Sequence, residues 1–593
     1  MQQSNGYKRD LGLLNLVMLN SMGMIGSGWL FAEMYTSSYA GSFGSVFSWL
    51  LGGIIVLLIA LTFMEVSSAF PRAGGSTPIG EFSHGKLVGF ISGWGAWLSD
   101  VMTPPIEAIA SVTYLSFFIK GVVSPTGSLE TLGYVLAVVI MVIILLVNLL
   151  SVKMFGNALT GVMVWKWAIP ALVIVTLIPF FFHATNFTSY GSFYNGYSGV
   201  FYALVLGGVV FSFEGFRAAV NMAGEAKNKT YIWKSVIIAL VLVMALYILL
   251  QIAFVGGIRW DVFGITPGDW GALSSSIVGG PFAQVASAVG LGWLVVILMI
   301  DAVISPGGAG ISYAAYPSRI FQSMSGFGYA PKMFSKLSNK HVPARALVLG
   351  FILGLFFIYE FPGWHLLIGI LTSTLVIAYI VGPASINVLR KTSPKTERPF
   401  QLRYSNVIAP VAFILTFLVV YWSGWPLSGE VVFATLAGLF MFTYFYRKMF
   451  EASKKEFAMV LILTISVVFA SLFMLLFLYY FYNLEYAVIS ILVTISLAVY
   501  ALASLYIENK KSDTIYGSWF IFALLAIEFL SLIGPSQYGG YNLIKFPYDF
   551  ISAAVAGLLF YFWAQITGHR TKSLNDYDIS EAEETARLSQ LQH

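Results

Sequence analysis

Apolar runs of about 20 residues, enough for one helix to cross the hydrocarbon core of a bilayer, recur along this chain from Leu11 to Thr567. Residues are 58% hydrophobic and 10% charged, with a mean hydropathy of +0.82, where soluble proteins run to about 25% charged. The chain is therefore expected to be an all-α polytopic membrane protein without a sizeable soluble domain. Spans fall near 11–35, 43–69, 87–119, 131–151, 157–182, 198–222, 232–257, 282–317, 346–362, 365–390, 406–424, 429–446, 457–482, 485–507, 516–534 and 548–567, about sixteen in all. The short polar start, Met1–Asp10, has no small-residue cleavage site after it, so span 1 is expected to be retained rather than removed as a signal peptide.

Placing the N-terminus in the cytoplasm and alternating the loops puts Lys120, Arg259 and Lys545 outside, with Lys166 and Arg217 inside spans. The rest of the 32 basic residues then fall on inside loops and tails. That is the positive-inside pattern, and it predicts that both termini are cytoplasmic, in a cell (plasma) membrane. The net charge of +5 requires no nucleic-acid partner, and the absence of cysteine excludes disulfides and thiolate metal sites. The last two dozen residues turn polar and acidic (Asp576, Asp578, Glu581, Glu583, Glu584) and are expected to form a mobile cytoplasmic tail. Asn186-Phe187-Thr188 is a glycosylation sequon on an expected outside loop.

Two spans are interrupted. Gly23-Met24-Ile25-Gly26-Ser27-Gly28 lies in span 1 and Phe211-Ser212-Phe213-Glu214-Gly215-Phe216-Arg217 in span 6. A break at membrane depth is tolerated where it lines a cavity, and half-helix ends there hold charged solutes. This is a transporter's signature; close helix packing by small residues is the alternative reading.

Four stretches resemble amino-acid permeases of the amino acid–polyamine–organocation superfamily: Gly23–Phe31, Glu65–Gly75, Phe211–Lys229 and Ser318–Pro343. The resemblance covers roughly the first 400 residues. It implies a leucine-transporter-like 5+5 inverted repeat with broken first and sixth helices, in agreement with two breaks five spans apart. The expected organisation is a cytoplasmic N-terminus (1–10), a transporter core (11–400, with repeats about 11–182 and 198–390) and spans 11–12 (401–450). Additional C-terminal helices (451–568), which the resemblance does not explain, and a tail (569–593) follow. Freed N–H groups of Ile25, Gly26, Ser27 and Gly28 form an anion nest suited to a carboxylate. Freed carbonyls of Phe211, Ser212 and Phe213 can accept from an ammonium group. The expected ligand is thus an α-amino acid, with Glu107, Glu214, Gly215 and Phe216 lining its side-chain pocket.

Ionisable residues at membrane depth are functional candidates by default. Lys166 matches a lysine that replaces a sodium ion in proton-coupled members of the superfamily. Out of water it either loads and releases a proton or braces spans 1, 5 and 8 as a fixed cation. Asp100, Thr103, Glu107, Ser111 and Tyr114 share one face of span 3 and are expected to point into the bundle. Glu214 is placed to pair with Arg217 at i,i+3, although the superfamily commonly has an acid where Arg217 stands. Asp301 adds a carboxyl in span 8, while Glu65, Arg72 and Arg217 are assigned to gating.

The sequence carries no phosphate loop, metal-binding His/Glu pair or nucleophile triad, so neither an enzyme nor a cofactor or metal is expected. The expected function is proton-coupled amino-acid uptake by alternating access, with amino acid, protons and lipid as partners. Polyamine or potassium transport, or amino-acid sensing without flux, are the alternatives.

Overall fold

A computed structural model describes residues 11–72, 74–149, 156–223, 226–277, 279–338, 342–449 and 516–580. Expected spans 13 and 14, residues 1–10 and the chain beyond Ser580 lie outside the described residues. Regular structure among them is helical, with two isolated bridges, Leu11 to Ala226 and Val123 to Leu129. Among the described residues seven helices are long and apolar enough to cross a membrane, eight if one bent pair counts as a span. Shorter apolar helices include Leu13–Met24, Ser405–Tyr421 and Ser518–Ile533.

Span 3 is a helix over Lys86–Leu115 that packs against span 8 (Gly292–Gly326) and span 10 (Trp364–Tyr379 and Val381–Thr392). Span 7, Lys229–Gly257, packs against both halves of span 1. The polar face of span 3 turns inward as expected: Asp100, Thr103, Glu107, Ser111 and Tyr114 are all buried.

Span 1 breaks where the sequence predicted. Its inner half ends at Met24, Ile25–Ser27 leave helical geometry, and the helix resumes at Gly28. The outer loop expected between spans 1 and 2 is absent, because Gly28–Ala69 continues as one kinked helix. The kink is Gly41, at φ 78°, where a Cβ would stand 2.8 Å from the Gly191 carbonyl and the Tyr194 nitrogen. Only glycine takes both that dihedral and that contact.

Span 6 breaks earlier than the sequence suggested. Gly196–Leu206 and Val209–Asn221 meet at 46°, pivoting on Gly207–Gly208 with Gly208 at φ 83°. A second irregularity, the 3-10 turn Glu214–Phe216, falls inside the expected stretch. The left-handed dihedral, which needs glycine, set the bend; the polar residues downstream mark the tighter turn.

Two further expectations are corrected. Asn186 is buried, donates to the Val255 and Ile258 carbonyls at 2.8 and 3.0 Å, and accepts from Trp260 Nε1 at 2.9 Å. Its amide pins an outer loop and is not offered for glycosylation. The tail is also docked as far as Ser580. The His569 N–H donates to the Ser83 carbonyl at 3.1 Å, Thr571 Oγ1 to the Phe82 carbonyl at 3.2 Å, and Ser573 Oγ to Glu81 at 2.6 Å. Leu574 and Tyr577, spaced at i,i+3, turn inward together, and the Tyr577 ring packs on Phe70 and Phe82. Acidic composition had masked that apolar stripe.

Span 15 (Ser518–Ile533) and span 16 (Tyr548–Thr567) pack on span 11, and span 16 also reaches span 10. Phe550 meets Phe201 edge-on and Trp422 at a tilt, and Tyr538 Oη reaches Ser198 Oγ at 3.4 Å. A cavity of about 360 Å³, lined by Tyr39, Asn195 and Leu206 together with Gln537 and Tyr538, lies between the core and these C-terminal residues.

Candidate functional site

The two breaks meet at the centre of the bundle. The Gly215 Cα lies 3.0 Å from where a Cβ on Gly23 would stand, and Gly28 faces Ser212 in the same way. The glycines therefore permit close approach of spans 1 and 6, as well as freeing backbone.

The span 1 break is held from four sides. Lys166 Nζ donates to the Met22 carbonyl at 2.7 Å, and Tyr247 Oη to the Met24 carbonyl at 2.6 Å. The Ser27 N–H donates to Glu107 Oε2 at 2.8 Å, while Trp364 Nε1 donates to Ser27 Oγ at 2.9 Å. The expected anion nest is thus occupied in this conformation. Ile25 N–H is spent on the Ser21 carbonyl and Gly26 N–H on the Met24 carbonyl, while a carboxylate of the chain itself sits on Ser27.

At the span 6 break, Phe211 packs edge-on to Trp364, Phe213 against Trp49 and Tyr247, and Phe216 against Phe63 and Tyr379. The Phe211 carbonyl accepts from the Phe213 N–H, so it is less free than the sequence implied. Trp364 also stacks on Phe31 and Tyr35, closing the outer side of the breaks.

Arg217 follows the 3-10 turn and is buried. Its guanidinium is paired with Asp100 and stands 3.8 Å from Glu214, so the expected i,i+3 partner is the looser of the two. Glu214 Oε1 accepts instead from Thr103 Oγ1 at 3.3 Å. Asp301 accepts from Ser305 at 2.7 Å, and Lys166 lies in the field of both Asp301 and Glu107.

Glu65 and Arg72 have different partners. Glu65 takes a two-pronged contact from Arg390 at 2.6 and 2.7 Å and the Leu402 N–H at 2.6 Å, with Arg398 at 3.5 Å. Arg72 lies 4.7 Å over the Tyr577 ring. Beside the docked tail, burial pushes His84 down to about 4 and pushes Glu81 above the usual carboxylate range.

Sequence reasoning passed over Glu33, fully buried in the outer half of span 1 with neither carboxylate oxygen hydrogen-bonded to another residue. The rule that flagged Lys166 would have found it. Trp364 and Tyr247 carried no comparable signal in a chain with 16% aromatic residues.

A polytopic helical bundle whose buried core is built on two mutually contacting broken helices defines a class of membrane transport proteins. The chain belongs to the amino acid permease family, whose profile matches residues 11–446. It is 35% identical over 589 residues to the glutamate/serine transporter AimA of Bacillus subtilis (strain 168), covering 96% of each chain. It is 30% identical over 585 residues to the aspartate-proton symporter of the same organism, covering 98% of this chain and 100% of the relative. Against the gamma-aminobutyric acid permease of that organism, identity is 26% and coverage is 59% of this chain and 72% of the relative. Both of the first two alignments run past the family match at residue 446 into the C-terminal part of the chain.

Proposed function

We propose that this permease is a proton-coupled amino-acid symporter working by alternating access between two inverted five-span repeats, with both termini in the cytoplasm. The observation that carries the reading is the Ser27 N–H on Glu107 beside Lys166 on the Met22 carbonyl. A protonatable acid and base grip the same backbone break that would seat an amino-acid carboxylate. For the substrate carboxylate to reach Ser27–Gly28, Glu107 must withdraw, and a proton is what lets a buried carboxylate leave its donor without stranding a charge. The amine then faces the Phe211–Phe213 carbonyls, and Glu214, Gly215 and Phe216 border the side chain. Trp364 closes the site outward. Glu65 with Arg390, and Arg72 with the tail, hold the inner end. Relatives named for glutamate, serine and aspartate, one of them a proton symporter, support amino acid plus proton as the cargo.

A cationic substrate is the second reading, favoured by five buried acids (Glu33, Asp100, Glu107, Glu214 and Asp301) around Lys166 and Arg217. Uptake of labelled amino acids into proteoliposomes, with and without an inward proton gradient and with putrescine and potassium as competitors, decides between them. Gradient-driven accumulation of an amino acid upholds the proposal. Binding without flux would make the protein a sensor.

A further inference from the structure

Around Arg217, buried polar atoms are left unspent. The guanidinium holds Asp100 through Nη2, while its Nε has no hydrogen-bond partner. Asp100 Oδ2 and Glu214 Oε2 are likewise buried without a hydrogen bond, as are the hydroxyls of Tyr313 and Tyr316 from span 8. Each such atom pays a desolvation cost when nothing meets it. A purely structural ion pair would satisfy its own donors and acceptors. Unspent donors and acceptors from several helices converge on one guanidinium beside a helix break, a lining suited to a charged ligand.

The planar guanidinium fork matches a carboxylate better than any other group in an amino acid. Glu214 is the loosely held neighbour: 3.8 Å from the guanidinium is beyond hydrogen-bond reach, and its other oxygen leans on Thr103. The breaks of spans 1 and 6 touch at Gly23 and Gly215, so a ligand seated across both has Arg217 on the span 6 side.

We propose that Arg217 receives the side-chain carboxylate of an acidic amino acid, which takes the place beside it now held by Glu214, and that Glu214 accepts a proton in the exchange. This rests on the permease reading and deepens it by naming the substrate class. The charges balance. Asp100, Glu214 and Arg217 together carry one negative charge; a substrate carboxylate adds a second, and the proton on Glu214 restores the original value. The other titratable groups facing this place are Glu107 from span 3, Tyr313 and Tyr316 from span 8, and Tyr379 from span 10.

The test uses the full chain in proteoliposomes, comparing glutamate with glutamine and aspartate with asparagine, pairs alike in shape and different in charge. The wild type should prefer each acid over its amide by about 100-fold in kcat/KM, the worth of a charged hydrogen-bonded pair. Arg217→Gln should abolish that preference. Because this variant strands Asp100, the double variant Arg217→Gln, Asp100→Asn, which removes both charges, should give the same loss. In the wild type KM for glutamate should rise with pH, and Glu214→Gln should flatten that rise. A wild type that transports other amino acids but none of these four overturns this proposal alone, and one that transports no amino acid overturns the permease reading and this proposal with it. Equal transport of acid and amide by the wild type, or an acid preference that survives in the double variant, overturns this proposal alone.

Discussion

The Ser27 N–H and the Glu107 carboxylate, 80 residues apart in sequence, meet at 2.8 Å in the gap of span 1. The donor that an incoming amino-acid carboxylate would need is already satisfied by a carboxylate of the chain. On the proposed reading the site is self-occupied, and its ligand must compete with a tethered analogue of itself.

Glu107→Gln keeps an acceptor for Ser27 but removes the titrating charge. Accumulation driven by a proton gradient should disappear while substrate counterflow continues. Lys166→Ala should likewise lose the drive, since it frees the Met22 carbonyl and leaves Glu107 and Asp301 without their cation. Parallel measurement of gradient-driven uptake and counterflow checks both variants, and retained gradient-driven uptake in Glu107→Gln would remove it from coupling.

Glu33 carries a carboxyl group with neither oxygen bonded to another residue. A charge buried in that state is costly, so a neutral side chain of the same shape should serve equally well. Glu33→Gln should therefore leave thermal stability within about 0.5 kcal/mol of the wild type, whereas Glu33→Lys should abolish folding. Thermal unfolding in detergent checks this, and a large loss in the glutamine variant would reveal a charged Glu33.

His84 links stability to pH where the tail docks. Its Nε2–H donates to the Ala564 carbonyl at 3.0 Å and its Nδ1 accepts from Ser83 Oγ at 2.8 Å, and burial lowers it to about 4, with His569 adding to the effect. The unfolded histidine, near 6.5, binds a proton that the folded one refuses. Stability from this group is therefore full above pH ~6.5 and is lost as pH falls towards about 4. Glu81, raised by burial, titrates in the opposite sense, so the diagnostic is the difference between wild type and His84→Gln. Protease protection of the tail should decline with acid more steeply in the wild type than in His84→Gln; identical profiles would clear His84 of the role.

Glu65 joins span 2 to Arg390 at the inner end of span 10 and to the Leu402 N–H beyond it. Breaking a largely buried pair of this kind costs about 3–5 kcal/mol. Because the chain has no cysteine, an Ala219→Cys reporter in the inner half of span 6 is free of background. Its labelling from the cytoplasmic side should speed up at least about tenfold in Glu65→Gln, by the same energy scale. Unchanged labelling would reduce Glu65 to a brace.

The membrane class, the span 1 break and the inward face of span 3 were legible because each obeys a local rule: apolar length, glycine among polar residues, and spacing of three to four. The partners were not. Arg217 makes its closer pair with Asp100, 117 residues away, and only a looser one with Glu214 one turn back, and helical spacing reveals the second of these but not the first. The bend of span 6 was misplaced because a left-handed glycine at 208 leaves no charge to notice. Glu33 was missed although it obeyed the rule applied to its neighbours. The docked tail was hidden because composition averages over faces.

The contacts of the tail also order events in time. Residues 569–580 and span 16 complete the environment of the loop between spans 2 and 3 and of span 10, across sequence separations of 480 to 492 residues for the His84, Phe82 and Glu81 contacts. Long-range closures of this kind form late. A nascent chain that has already inserted its first ten spans has Tyr329 on Glu81 but still lacks Ala564 for His84 and Ser573 for Glu81. A chain stopped before span 16 would therefore insert its core with the Ser76–His84 helix still missing these clasps.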